Sequence, residues 1–372
     1  MHLILLVLTA FVLIIMESNI RIIHLLTANR VHICVDIMKI FYSKYKDLQQ
    51  LFVIIGANST TINVYQYAID ECKIPNYVYV NSFEDITRNK NQWANKLILT
   101  HGLTYIECVR LCKIGFNNVH WICWGDGTKP SMGVLGKLFR PIKANRLKKI
   151  KGIVTLMQPD MDYLKHNYGL DNVICLPYHS FVNEENIPLC DALNTTIHNN
   201  ILLGNNSGCI DDYINNLDLL ENYKTKVNVA CLLNYSLKKD ERYYSLRKKG
   251  HDYFGERFTI IEKLMSQSEY IQFLKNYDVY ICGKQNQTGL GAIYRMLASG
   301  KKIFINGKNY EWVKEIGCEI SNVSEIEGLE YDKFIEPLPT NIKKENHDKI
   351  IHFINDGVDE KWREFMVSNC IY

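Results

Sequence analysis

Short runs in which every position is apolar alternate with stretches whose apolar positions recur every three or four residues, along almost the whole chain. Continuous apolar runs belong to strands covered on both faces, and their alternation with amphipathic helices marks βα units wound into parallel sheets. The pattern predicts first-half strands at Ile20–Leu26, Leu51–Ile55, Tyr77–Val80, Lys96–Thr100, Val119–Cys123, Gly152–Leu156 and Asn172–Leu176, with helices between them, for instance at Leu103–Ile114 and Gly136–Ile150. From Ser180 to Asn200 the periodicity lapses into Asn, Asp and Pro residues, which reads as an interdomain linker. A second set of strands follows at Asn200–Leu203, Val227–Leu232, Phe258–Ile261, Asp278–Cys282 and Lys302–Ile305, and the chain closes with helices at Lys343–Asn355 and Asp359–Ser368.

Composition bounds this picture. A length of 372 residues exceeds one ordinary core, and 47% hydrophobic with 22% charged residues excludes a disordered chain, so two packed domains are expected. Their predicted limits are 16–185 and 198–342, with 343–372 as helices that could pack back on the first domain. A net charge of +3 leaves partners undecided. The 12 cysteines contain no C-x-x-C pair and sit largely within apolar runs, so buried thiols are expected rather than disulfides or a metal site. Residues 1–15 form an apolar extension shorter than the roughly 20 residues of a spanning helix. It also lacks the basic flank and cleavage site of a signal peptide. An upstream start, a short anchor and an additional buried element all remain open for it.

Three loops carry candidate chemistry. After the strand ending at Leu203, the turn Gly204-Asn205-Asn206-Ser207-Gly208 precedes a helix; small residues there let backbone N–H groups approach a diphosphate, and a plain capped turn is the alternative. After Cys282, a polar loop with Lys284, Gln287 and Thr288 leads to Gly289 and Gly291 at a helix start. Bare amides at a helix terminus beside a lysine neutralise a leaving diphosphate without a metal, whereas glycines merely allowing close helix packing is the competing reading. The pair Asp160 and Asp162 has the D-x-D form of metal-dependent transferases, but its place after Pro159 reads as the acidic first turn of a helix.

Four stretches together carry a resemblance: ILTHGL around His101, HWICWGDG around Trp124 and Asp126, ILLGNNSG around Gly204, and QTGLG through NGKNYEW from Gly289 to Trp312, which includes Asn309. The segment Phe254–Asp278 supports it. The chain resembles the TDP-N-acetylfucosamine:lipid II N-acetylfucosaminyltransferases, bacterial GT-B glycosyltransferases that build surface polysaccharide on an undecaprenyl diphosphate carrier. The resemblance implies two Rossmann-like domains with parallel sheets facing a central cleft. It implies a dTDP- or UDP-sugar donor, an undecaprenyl-diphosphate-linked saccharide acceptor, and neither cofactor nor metal. Gly204, Asn205, Ser207, Lys284, Gln287, Thr288, Gly289, Gly291 and Asn309 are then the donor-binding candidates. If transfer inverts the anomeric centre, Asp126 or His101 is the candidate general base on the acceptor hydroxyl. Capping and core hydrogen bonding are the structural alternatives for both residues.

The run from Lys137 to Lys151 holds seven cations and no acid, interleaved with Leu138, Phe139, Ile142, Leu147 and Ile150. With Lys143, Arg146, Lys148 and Lys149 it suits an element lying on anionic lipid, and the resemblance implies that this is the cytoplasmic face of the bacterial inner membrane, with the protein peripheral to it. A solvated basic face is the alternative, and nucleic acid is the weakest partner because no other segment is basic. Two further whole-protein readings stay open: a pyruvyl transferase or nucleotide-sugar epimerase of similar plan, and a catalytically silent nucleotide-sugar-binding partner.

Overall fold

The computed structural model describes residues 20–125, 128, 139–178, 186–193, 197–204, 210–233, 241–263, 265 and 267–370. The chain divides into two compact units, one running up to His179 and resuming at Gly357, the other Ser180–Asp356.

The first unit contains β1 (Ile22–Thr27), β2 (Gln50–Ile55), β3 (Tyr77–Val80), β4 (Leu97–His101), β5 (Val119–Cys123), β6 (Gly152–Thr155) and β7 (Val173–Cys175). They form one parallel sheet in the order β3-β2-β1-β4-β5-β6-β7. Ile23, Leu25, Val53, Ile98 and Trp121 belong to a core cluster shared with helices Tyr105–Lys113 and Gln158–Tyr168. Alternation along a strand sends His24, Phe52, His101 and His120 to the opposite face. There His24 and His101 meet Phe41 of helix Val31–Lys44, and His120 meets Phe365 of helix Val358–Asn369. The last helix is tied down further by Arg363 to Asp47 and by Asn118, whose amide donates to the Asn369 carbonyl at 2.7 Å.

The second unit contains β8 (Asn200–Leu203), β9 (Asn228–Leu232), β10 (Phe258–Ile261), β11 (Val279–Cys282), β12 (Lys302–Ile305) and β13 (Ser321–Asn322). Its parallel order is β10-β9-β8-β11-β12-β13, the same winding as the first. All four residues of β11 are buried. Burial of a large aliphatic side chain contributes about 1.5–3 kcal/mol, so such central strands fix the frame from which the loops spring.

Two expectations need correction. The stretch read as a linker contains the helix Leu189–Leu193, and Ile187 and Ala192 are fully buried in the second unit, where His347 Nε2 donates to the Ile187 carbonyl at 3.0 Å. Apolar residues too sparse to show a period are still recruited when a neighbouring helix offers a surface. Of the two closing helices, only Val358–Asn369 joins the first unit, whereas Thr340–Asn355 packs within the second. The two-residue β13, polar throughout, carries no hydrophobic signal and was not predicted from sequence.

Candidate active site

In open α/β sheets ligands bind beyond the carboxyl ends of strands, where the strand order reverses direction. In the second unit that point lies between β8 and β11. Gly204 follows the first of these strands and Gly283 the second. Asn205 and Ser207 lie outside the described residues.

The loop from Gly283 to Gly289 is held from below. Asn309, fully buried, donates through Nδ2 to the Thr288 carbonyl at 2.8 Å and accepts from the Thr288 N–H at 3.3 Å. Its amide is therefore engaged with the backbone, and it shapes the loop rather than offering itself to a ligand. Gly307 adopts φ 56° at the start of the next helix, and a Cβ there would stand 2.2 Å from the Gln285 carbonyl oxygen. Lys308 N–H donates to that same oxygen at 3.0 Å. Only glycine permits this approach.

Gly289 has φ 65° and caps helix Leu290–Ala298, whose first bonds run from Ala292 and Ile293 N–H to the Gly289 carbonyl, each at 2.9 Å. The Leu290 and Gly291 amides thus precede the helix's own ladder and point out of its amino terminus. Beside the loop, the Lys284 ammonium stands 3.9 Å from the Asp212 carboxylate with its side chain only 13% exposed. The Gln287 side-chain oxygen is buried and has no hydrogen-bond partner among the described residues. Bare amides and one cation make this a candidate anion-binding terminus, to which the Gln287 oxygen, itself an acceptor, adds nothing. Two glycines also have packing reasons: a Cβ on Gly204 would lie 2.7 Å from Tyr280 Cε2, and one on Gly291 would lie 2.9 Å from Arg295 Nη1.

The corresponding point of the first unit lies between β1 and β4, and it is filled with side chains. Gln50 Nε2 donates to the Phe41 and Tyr45 carbonyls at 3.3 and 2.7 Å, which leaves Gln50 Oε1 to accept from His24 Nε2–H at 3.0 Å. Burial lowers the His24 pKa to about 3, so the ring is neutral and its Nδ1 accepts from His101 Nε2–H at 3.0 Å. Burial and the neighbouring His24 likewise hold His101 neutral, so its Nδ1 accepts from the Tyr178 hydroxyl at 2.6 Å. The Tyr178 oxygen in turn accepts from Trp124 Nε1–H at 3.0 Å. Every hydrogen in this chain points from Trp124 towards Gln50.

The expectation that His101 takes a proton directly from an acceptor is therefore corrected. The residue is fully buried with both ring nitrogens occupied, and its depressed basicity opposes that role. Asp126 lies outside the described residues. Its neighbour Thr128, fully buried, donates from Oγ1 to Asp160 Oδ1 at 2.7 Å. Asp160 indeed sits in the first turn of helix Gln158–Tyr168, as its place after Pro159 predicts. Sequence reasoning missed Gln50, His24 and Tyr178, which have no local motif, and missed Gly307, which the NGKNYEW segment contained.

The basic run folds as helix Arg140–Leu147, with Phe139 and Ile142 exposed at 56% and 47%. Arg146, Lys148 and Lys149 are exposed, whereas the Lys143 ammonium lies over the Tyr105 and Tyr168 rings at 5.3 and 4.9 Å. Lys137 is outside the described residues. Among the described residues, no helix is long and apolar enough to cross a membrane, and no group of three His, Cys, Asp or Glu side chains gathers as metal ligands do.

Comparison with solved structures places this architecture. The chain is similar to Anabaena HepE, crystallised with UDP and glucose, at TM-score 0.66 and 12% identity over 94% of this chain and 100% of that one. It is also similar to the trehalose 6-phosphate synthase of Burkholderia multivorans, at TM-score 0.61 and 8% identity over 95% and 98% of the two chains. The N-terminal domain of trehalose-6-phosphate phosphatase from Candida albicans aligns at TM-score 0.59 and 10% identity over 94% and 97%. Likeness at such identities establishes the two-sheet GT-B fold. No curated protein matches the chain by sequence. The family described as 4-alpha-L-fucosyltransferase, glycosyl transferase group 56, matches residues 19–369, in agreement with the resemblance read from the four sequence stretches. That match sets aside the pyruvyl transferase, epimerase and catalytically silent readings: the chain belongs to the 4-alpha-L-fucosyltransferase family of glycosyl transferase group 56 and is a glycosyltransferase.

Proposed function

We propose that the protein transfers a fucose-type hexose, a 6-deoxy and commonly amino- or N-acetyl-substituted sugar, from a dTDP- or UDP-sugar to an undecaprenyl-diphosphate-linked saccharide in surface polysaccharide synthesis. The observation that carries the donor half is the Gly289 terminus. Its amides sit at the reversal point of a parallel sheet, on a loop pinned by Asn309 and Gly307, with Lys284 alongside. These groups match the charge that grows on a departing nucleoside diphosphate, and fixed dipoles there need no reorganisation as the bond breaks. The structural relative crystallised with UDP supports a nucleotide-sugar donor, and the family's fucosyl description supports the 6-deoxy sugar.

Asp126 is the general base of this reading if the reaction inverts configuration, since His101 is committed elsewhere. The exposed Phe139, Ile142, Arg146, Lys148 and Lys149 support a peripheral seat on anionic lipid at the cytoplasmic face of the inner membrane, close to a lipid-borne acceptor. The direct test is a thermal-shift panel of dTDP-, UDP- and GDP-sugars, followed by assay of nucleoside diphosphate release with undecaprenyl-linked saccharides. A dTDP- or UDP-hexose should raise Tm with the logarithm of its concentration. Stabilisation by GDP-sugars alone, or release that ignores the lipid acceptor, would overturn the assignment.

A further inference from the structure

The hydrogen-bond chain under Trp124 is more than the sheet needs to pack. Apolar side chains fill such a face as well, and replacing a buried polar network with them is frequently neutral or stabilising. Here Gln50 on β2, His24 on β1, His101 at the end of β4, Tyr178 beyond β7 and Trp124 beyond β5 are committed to one continuous series of bonds. Its direction is fixed at the inner end by two backbone carbonyls, and reversing any link would set two hydrogens or two lone pairs against each other.

What the series delivers is the angle of one indole. Trp124 is partly exposed at the carboxyl edge of the sheet with its N–H turned inward. Gly102, at φ 77°, has no Cβ to displace it; a Cβ would stand 2.7 Å from Thr27 Cγ2 and 3.1 Å from the indole. Tyr178 is itself clamped by the Trp362 ring, stacked at 5.9 Å with an interplanar angle of 9°. On the far side of Gly125, the Thr128 N–H donates to the Gly125 carbonyl at 3.1 Å, and Thr128 is held by Asp160. The Arg30 guanidinium lies 5.5 Å from the centre of the Trp124 ring.

With its N–H spent internally, Trp124 offers a ligand only its apolar ring surface, with the Arg30 guanidinium set over one face of it. That pairing fits a molecule with a C–H-rich face and an anionic group, as in a pyranose joined to a diphosphate. We propose that Trp124 stacks on the saccharide of the diphosphate-linked acceptor with Arg30 facing its charge, and that Tyr178, His101, His24 and Gln50 are positioning residues for the indole. The inference deepens the acceptor half of the function proposed above and rests on it.

The test uses the full chain with ¹⁵N-labelled indoles, Trp124→Phe assigning the Trp124 N–H resonance. That resonance should exchange slowly in the wild type and about tenfold faster in Tyr178→Phe, which keeps the stack on Trp362. Micelles carrying undecaprenyl diphosphate N-acetylglucosamine should shift it, and micelles of undecaprenyl diphosphate alone should shift it less. UDP or dTDP should leave it in place. In turnover, Trp124→Ala should raise acceptor KM about tenfold with donor KM unchanged, and Tyr178→Phe should follow in the same sense. A purely structural loss would lower kcat through the folded fraction and leave both KM values alone. A resonance that ignores the saccharide lipid, or follows the nucleotide instead, overturns the proposal. Absence of nucleoside diphosphate release by the wild type would overturn the function reading separately, while the micelle titration still decides whether Trp124 meets a saccharide.

Discussion

The two units wind their strands identically, yet their reversal points are built from different materials. In the second unit the site is made of backbone: Gly289 and Gly307 supply left-handed conformations, and helix amides supply the polarity. In the first it is made of side chains, four of them joined in one direction beneath the Trp124 ring. A backbone cradle binds charge at any ordinary pH because amides do not titrate. A side-chain network fixes orientation more sharply, but each imidazole in it must stay neutral. In the function proposed above, one topology serves two tasks, charge neutralisation and geometric presentation, according to what occupies the strand ends.

The contrast can be broken by mutation. The largest effect is expected from His101→Leu, which leaves the Tyr178 hydroxyl hydrogen without an acceptor and His24 Nδ1 without a donor. Each unsatisfied buried group costs about 1–3 kcal/mol, and a loss of that order lowers Tm by several degrees in a domain of this size. Calorimetry showing Tm within about a degree of wild type would mean that the network holds nothing. Next comes Gly289→Trp, which places a bulky residue at positive φ across the anion terminus. A hundredfold weaker nucleotide affinity, about 2.7 kcal/mol, is expected by titration calorimetry; unaltered affinity would remove the cradle from the donor site.

Acid sharpens the comparison further. Burial lowers the pKa of His24 to about 3 and that of His120 to about 4, and it holds His101 well below the usual 6.5. The folded state therefore binds fewer protons than the unfolded state below about pH 6.5. Stability is full above that value and is lost as pH falls towards the folded values, by up to about 1.4 kcal/mol per pH unit for each histidine. Urea titrations at pH 7.5, 6 and 5 should show this slope, with hydrogen exchange locating the loss in the first unit. A flat profile would contradict the neutral histidine chain. The smallest effect per residue belongs to the basic helix. Changing Arg146, Lys148 and Lys149 to Glu should release the protein from anionic vesicles in flotation, each cation contributing about 1 kcal/mol. Unchanged flotation would return that face to solvent.

Strand positions were legible because interior strands buried on both faces leave nearly continuous apolar runs, as at Val119–Cys123; the half-buried edge strand Tyr77–Val80 and Lys302–Ile305 also coincide in sequence and structure. The glycine loop before Leu290 was legible for a related reason, since a sharp turn into a helix needs particular residue types at adjacent positions. Asn309 was visible only as part of a family segment, and its bond to Thr288, 21 positions earlier, turns it from a ligand contact into a support. His24 and His101 are 77 positions apart and share no motif, so their pairing exists only once β1 and β4 lie side by side. Local order of residue types thus determined the elements, their winding class and the glycine turn before Leu290. Tertiary packing alone decided which polar side chains lost water together, and with that which of them could hold a proton and which could only pass its direction along.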